Sequence, residues 1–118
     1  MAFLTGQEEI ETTAHNLRTV LQATDRPCPK GIVVPLYAAQ QVSVQQKVFT
    51  PTKEGCRKII LSTNIAETSL TIPGVKHVID SCRVKAKWVD FKTSLISEII
   101  FTSTLKNLPN HYPNFSLL

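Results

Sequence analysis

Residues 58–81 read KIILSTNIAETSLTIPGVKHVIDS, and the fold turns on how this stretch is parsed. The opening KIIL is short and β-branched, the mark of a buried strand. VKHVIDS at the far end is a second strand-like run. Between them the chain concentrates Ser62, Thr63, Asn64, Glu67, Thr68, Ser69 and Thr71. Hydroxyl, amide and backbone N–H groups at a strand end suit incoming phosphate oxygens. The same residue types also cap turns. Taken alone, the residues allow both readings. A turn or short helix over residues 66–74 must stop before Pro73, because the residue before proline disfavours the α conformation.

Outward from this stretch, strands and helices alternate. AFLTG at 2–6 reads as a strand end and turn. Ile10, Ala14, Leu17 and Leu21 then recur at helical spacing, giving one apolar stripe over residues 5–22. Thr5 and Glu8 have the spacing of a capping box at its start. Residues 23–31 carry two prolines and a glycine and read as a loop. GIVVPLYAA at 31–39 predicts a buried strand that ends or bends near Val34, ahead of Pro35. SVQQKVF at 43–49 predicts a short helix capped by Ser43. Such an order predicts an α/β parallel sheet with right-handed crossovers, whose ligands bind at the carboxyl ends of the strands. RVKAKWVDFKTSLISEIIF at 83–101 alternates and predicts a β-hairpin turning near residues 90–94. The last seventeen residues hold three asparagines and two prolines without periodicity, and are expected to be poorly ordered.

Composition narrows the classes. The chain has 118 residues, 42% of them hydrophobic, enough for one ordinary domain with a core. No apolar run is long enough to span a bilayer, and the N-terminus lacks the basic-then-apolar pattern of a secretory signal. Cys28, Cys56 and Cys82 are far apart and odd in number, which favours reduced thiols over disulfides or zinc. A net charge of +4 is compatible with a polyanionic partner without demanding one.

Three blocks carry a resemblance. FLTGQEEIE at 3–11, PLYAA and QQKVF within 35–49, and STNIAETSLTIPGVKHVIDS at 62–81 together resemble the second RecA-like lobe of DEAH-box RNA helicases. The blocks stand in family order and TNIAETSLTI is highly specific. The resemblance covers residues 2–100. It implies a partial RecA-like, P-loop NTPase-type sheet with flanking helices over residues 1–101, the hairpin occupying 83–101. Residues 102–118 are then a divergent tail.

The resemblance also assigns roles. Thr5 and Gly6 correspond to motif IV and would approach the RNA backbone. Gly6 lacks a side chain that would keep a phosphate away. Tyr37 would lie beside the RNA track, although a partly buried sheet tyrosine is equally compatible with the residues. Thr63 and Asn64 would bind RNA phosphates. Phe49 would stack on the nucleotide base, whereas its neighbours alone favour a core phenylalanine beside Val48. Ser69 would respond to the γ-phosphate and Thr71 would lie at the ribose. Glu67 is expected to be a structural or relay carboxylate. Lys85, Lys87, Lys92, Trp88 and Phe91 would give the hairpin charge and rings, or merely a solvated face with aromatics in the core.

Departures from the family pattern limit the expected activity. Walker A and DEAH sequences, which belong to the first lobe, do not occur in these residues. No arginine follows Arg83 and no glycine follows Gly74, so the arginine finger of motif VI is missing. Such a finger is worth orders of magnitude in phosphoryl transfer. Pro73 replaces an acidic residue near the ribose, Cys82 replaces a usual glycine, and residues 88–90 read Trp-Val-Asp where the family has an aromatic-Asn-Pro. The chain is therefore expected to be an incomplete lobe, a truncated product or a fragment with a replaced end.

The expected function is that of a fragment of an ATP-driven RNA helicase. ATP and Mg²⁺ are the family's cofactors, and neither is expected to bind this chain tightly. Catalytic and metal-binding residues are not expected here. RNA and, in the whole protein, the first RecA-like lobe are the expected partners; a membrane is not. Nuclear or nucleolar location is expected, with the cytoplasm as the alternative. The rivals are a non-catalytic module competing with the full helicase, and a chain that does not fold stably.

Overall fold

The computed structural model describes residues 1–24, 30–64, 71–90 and 95–102. β1 (Ala2–Phe3), α1 (Gln7–Ala23), β2 (Lys30–Leu36), α2 (Val42–Gln45) with a 3₁₀ turn (Gln46–Val48), β3 (Cys56–Ser62) and β4 (Ile79–Asp80) follow one another. They build a four-stranded sheet in the order β2-β3-β1-β4, and every pairing is parallel. β5 (Arg83–Asp90) and β6 (Leu95–Thr102) form the expected antiparallel hairpin. Of the turn expected near 90–94 and the tail expected over 102–118, Asp90 instead closes β5 and Thr102 closes β6, pairing with Leu95 and Arg83; residues 91–94 and 103–118 lie outside the described residues.

Both sheet faces are covered, as a parallel sheet requires. On one face Ile10 and Ala14 of α1 pack against Leu61. On the other, Phe3, Val34, Leu36, Val48, Ile60 and Ile72 form a second cluster. Ile60 and Leu61 thus serve opposite faces, following the two-residue period of β3. Gly31 allows the far end of α1 to close onto β2. A Cβ there would stand 2.5 Å from Leu21 Cδ1, inside any real contact.

Four local expectations are corrected. β2 does not end at Val34 but runs through Pro35 to Leu36. Pro35 is tolerated because β2 is the outermost strand, where a missing N–H faces away from the ladder. The Thr5–Glu8 capping box is not formed. Gly6 holds the N-cap with no side-chain cap, and the Thr5 N–H and hydroxyl both donate to Glu9 Oε2, at 2.8 and 2.7 Å. Ser43 lies inside α2, whose N-cap is Gln41. Gln45 Nε2 instead holds this region, donating to the carbonyls of Tyr37, Ala38 and Gln40. The fourth strand spans two residues, because its partner β1 offers two.

Candidate nucleic-acid interface at the strand ends

Three strands finish level with one another. Phe3 is in register with Ser62, and Ser62 with Leu36. The ladder continues one step beyond the strands: Leu4 N–H donates to Ser62 O at 2.8 Å and Thr63 N–H to Leu36 O at 3.2 Å. Tyr37, then Thr63 and Asn64, then Thr5 and Gly6 therefore leave the sheet side by side at its carboxyl edge. With strands about 4.8 Å apart, these three exits span roughly 10 Å.

Each residue at this edge has a definite setting. Asn64 is exposed and Thr63 half-buried. Ser62 is fully buried and its hydroxyl donates to Thr63 O at 2.8 Å, so it supports the turn rather than facing solvent. The Tyr37 hydroxyl donates to Glu11 Oε1 at 2.6 Å, and its N–H donates to Gln40 Oε1. The bond to Glu11 holds the phenolic proton and raises the Tyr37 pKa above its ordinary value, with burial and the Glu11 charge adding to the effect. Gly6 is extended, at φ −172° and ψ 176°, a geometry open to any residue. A Cβ there would meet Lys85 Cδ at an ordinary 3.9 Å. Neither backbone nor packing among the described residues requires glycine at this position.

Thr5 is already occupied. Both of its donors serve Glu9, whose other oxygen lies 3.8 Å from Arg83 Nη1. The two Thr5 bonds hold the Glu9 carboxyl below its ordinary pKa; partial burial opposes this and Arg83 assists. Glu9, Glu11 and Arg83 were not singled out by the sequence, where they read as ordinary charges on a helix face and a strand.

The residues expected to meet the nucleotide lie elsewhere. Phe49 follows the 3₁₀ turn and is 42% exposed, while Val48 beside it is 2% exposed. A core role for Phe49 is thereby overturned: Val48 enters the sheet cluster, and Phe49, one residue on, is left outside it. Thr71 is exposed next to Ile72, which is buried in the same cluster as Val48. Phe49 and Thr71 are thus the chain neighbours of Val48 and Ile72, which pack on the sheet face opposite α1. Ser69 and Glu67 lie outside the described residues. Among the described residues, no group of three or more His, Cys, Asp or Glu is placed to hold a metal.

The profile of the helicase conserved C-terminal domain matches residues 2–98. The chain belongs to this family. Mouse "ATP-dependent RNA helicase DHX33" is 49% identical over 87 residues, which is 74% of this chain and 12% of that protein. The splicing helicase prp22 of Schizosaccharomyces pombe is 39% identical over 100 residues, 85% of this chain and 9% of that protein. Among solved structures, the E. coli DExH-box NTPase HrpB matches with TM-score 0.78 and 30% identity, covering 96% of this chain and 13% of that one. The chain thus spans about a tenth of the length of these relatives. It corresponds to the second RecA-like lobe of DEAH-type helicases.

Cys82, at the position where the resemblance implies a glycine, has an unusual backbone. Cys82 adopts φ +55°, in the left-handed region that glycine enters without penalty. Its N–H donates to Asp80 Oδ1 at 2.8 Å, which fixes the turn between β4 and β5. This turn delivers Arg83 and Lys85 to the start of α1, beside Glu9 and Gly6.

Proposed function

We propose that this chain is the RNA- and nucleotide-contacting part of a DEAH-type RNA helicase lobe, gripping RNA by its phosphates without reading bases. The observation that carries this is the alignment of Tyr37, Thr63/Asn64 and Thr5/Gly6 on one sheet edge. Thr63 and Asn64 supply neutral donors, and the Gly6 backbone admits a close oxygen. Arg83 and Lys85 supply the charge that attracts a polyanion. A phosphate oxygen reaches the Thr5 donors by displacing Glu9, one anion exchanged for another.

On the nucleotide side, Phe49 stacks on the base and Thr71 meets the ribose; the γ-phosphate response is assigned to Ser69 by the resemblance alone. ATP, with Mg²⁺, supplies the hydrolysable phosphoryl group in this family. Residues 62–71 join the RNA edge to the nucleotide face, so a shift at one end biases grip at the other. ATP hydrolysis belongs to the whole helicase; this chain alone binds RNA weakly and turns over no ATP. Its lobe takes in residues 1–102, since Thr102 pairs with Arg83 in the hairpin, and residues 103–118 are a divergent tail. The splicing role in the name of prp22 supports a nuclear setting.

RNA affinity of the chain, measured against salt, tests this reading. Affinity is expected to fall steeply as salt rises, and to fall severalfold in the Thr63→Ala/Asn64→Ala variant. Affinity indifferent to both would sink the phosphate grip. Magnesium-dependent ATP turnover by the pure chain would refute its inactivity.

A further inference from the structure

Lys58 makes a set of contacts that neither the core nor the RNA edge uses. Its ammonium donates to three backbone carbonyls: Lys47 at 3.5 Å, Val48 at 3.0 Å, and Thr50. Three donors meet three acceptors, so the group is saturated. The carbonyls at the end of a helical turn have no partners within it, and a cation there completes them. The Val48 and Thr50 carbonyls bracket Phe49, whose own N–H donates to Gln46 O at 3.0 Å.

We propose that Lys58 is a positioning residue for nucleobase stacking, fixing the backbone on both sides of Phe49 and so holding its ring toward solvent. This rests on the reading of Phe49 as the base platform.

The anchor is stiff. Lys58 lies inside β3, paired in register with Ile32 of β2, on the same sheet face as Ile60. Ile60 and Val48 share one core cluster, so the turn is pinned at two points. Val48 secures its buried side. Lys58 constrains the side that Val48 leaves free, where residues 49–55 are all exposed. The convergence also defines the residue type. Three carbonyls around one point suit a compact ammonium, whereas the planar fork of arginine directs its donors outward in one plane. Methionine keeps much of the stem and loses every donor.

The test is an NMR titration of the full chain with ATP and with base-free ribose triphosphate, following the Phe49 ring and backbone amides. In the wild type, ATP is expected to shift the ring and the base-free ligand is not. Lys58→Met is expected to weaken ATP binding about tenfold, the scale of one stacked base. Base-free binding should stay unchanged, Lys58→Arg should fail to restore ATP binding, and Lys58→Met should add no loss in a Phe49→Ala background. Unperturbed Val48 and Ile60 methyl signals would show that the core is intact. If Phe49→Ala weakens ATP binding and Lys58→Met does not, the platform stands and the clamp is refuted. If Phe49→Ala changes nothing, or ATP leaves the wild-type ring unmoved, the platform fails and the clamp with it. Equal loss of both ligands in Lys58→Met, or disturbed core methyls, would make Lys58 a general structural residue and overturn the proposal.

Discussion

The sheet edge and the opposite face present their candidate contact residues in different ways. At the edge, side chains are engaged: Thr5 by Glu9 and Tyr37 by Glu11, both carboxylates coming from α1. On the face, the Phe49 ring is exposed and is held through its backbone and its neighbours, by Lys58 and Val48. The edge must exchange partners to accept an anion. The face offers a ring that is already positioned. This contrast suits two ligands, a phosphate track that is gripped and released, and a base that meets a standing platform.

Leu36→Ala would break the comparison by damaging both sides. Leu36 is fully buried in the cluster that includes Val48 and Ile72, and its carbonyl accepts the Thr63 N–H. The cost is expected to be about 2–5 kcal/mol, read by denaturant unfolding. RNA and nucleotide binding should fall together. Loss of only one would show that the regions do not share this support.

Glu9→Gln separates them. Removing one negative charge beside the phosphate track should raise RNA affinity about fivefold at low salt, the scale of a unit charge pair across a few ångströms of water. ATP-induced shifts of the Phe49 ring should not change. Unchanged RNA affinity would mean that Glu9 does not compete with phosphate.

Acid supplies a finer probe of the same group. Because the folded-state pKa of Glu9 is depressed, its stabilising contribution is complete above the ordinary value of 4.5 and is lost as pH falls through the folded value. The Tm difference between wild type and Glu9→Gln should shrink over that fall. A constant difference would remove the Thr5–Glu9 bonds as its origin.

The smallest expected effect is a titration. The Tyr37 pKa is raised above 10.0, first by the Glu11 hydrogen bond, so its stabilising contribution is present below 10.0 and lost as pH rises through the folded value. Glu11→Gln should move the phenolic absorbance transition back toward 10.0. No movement would show that the phenol is not held by Glu11.

The sequence conveyed the architecture through patterns that packing enforces. KIIL could only be a buried strand, and the stripe of Ile10, Ala14, Leu17 and Leu21 only a helix face. Details set by partners distant in sequence were not legible. β4 is short because β1 is short, which no local pattern in VKHVIDS encodes. Capping-box spacing from Thr5 pointed to Glu8, but the extended Gly6 holds the N-cap, and the acid three residues beyond it, Glu9, meets Thr5. Phe49 read as core because it follows apolar Val48; which of the two enters the cluster is set by the packing of this turn on the sheet, not by local pattern. Lys58 carried no signal at all, since its acceptors are backbone atoms eight to eleven residues away.

RNA is expected to lie along the carboxyl ends of β1, β2 and β3. Amide shift mapping of the full chain with a short single-stranded RNA tests it most directly. Perturbations are expected at Thr5, Gly6, Tyr37, Thr63 and Asn64 together, with the α2 surface silent. Perturbations centred on α2, or none at those five residues at saturating RNA, would contradict it.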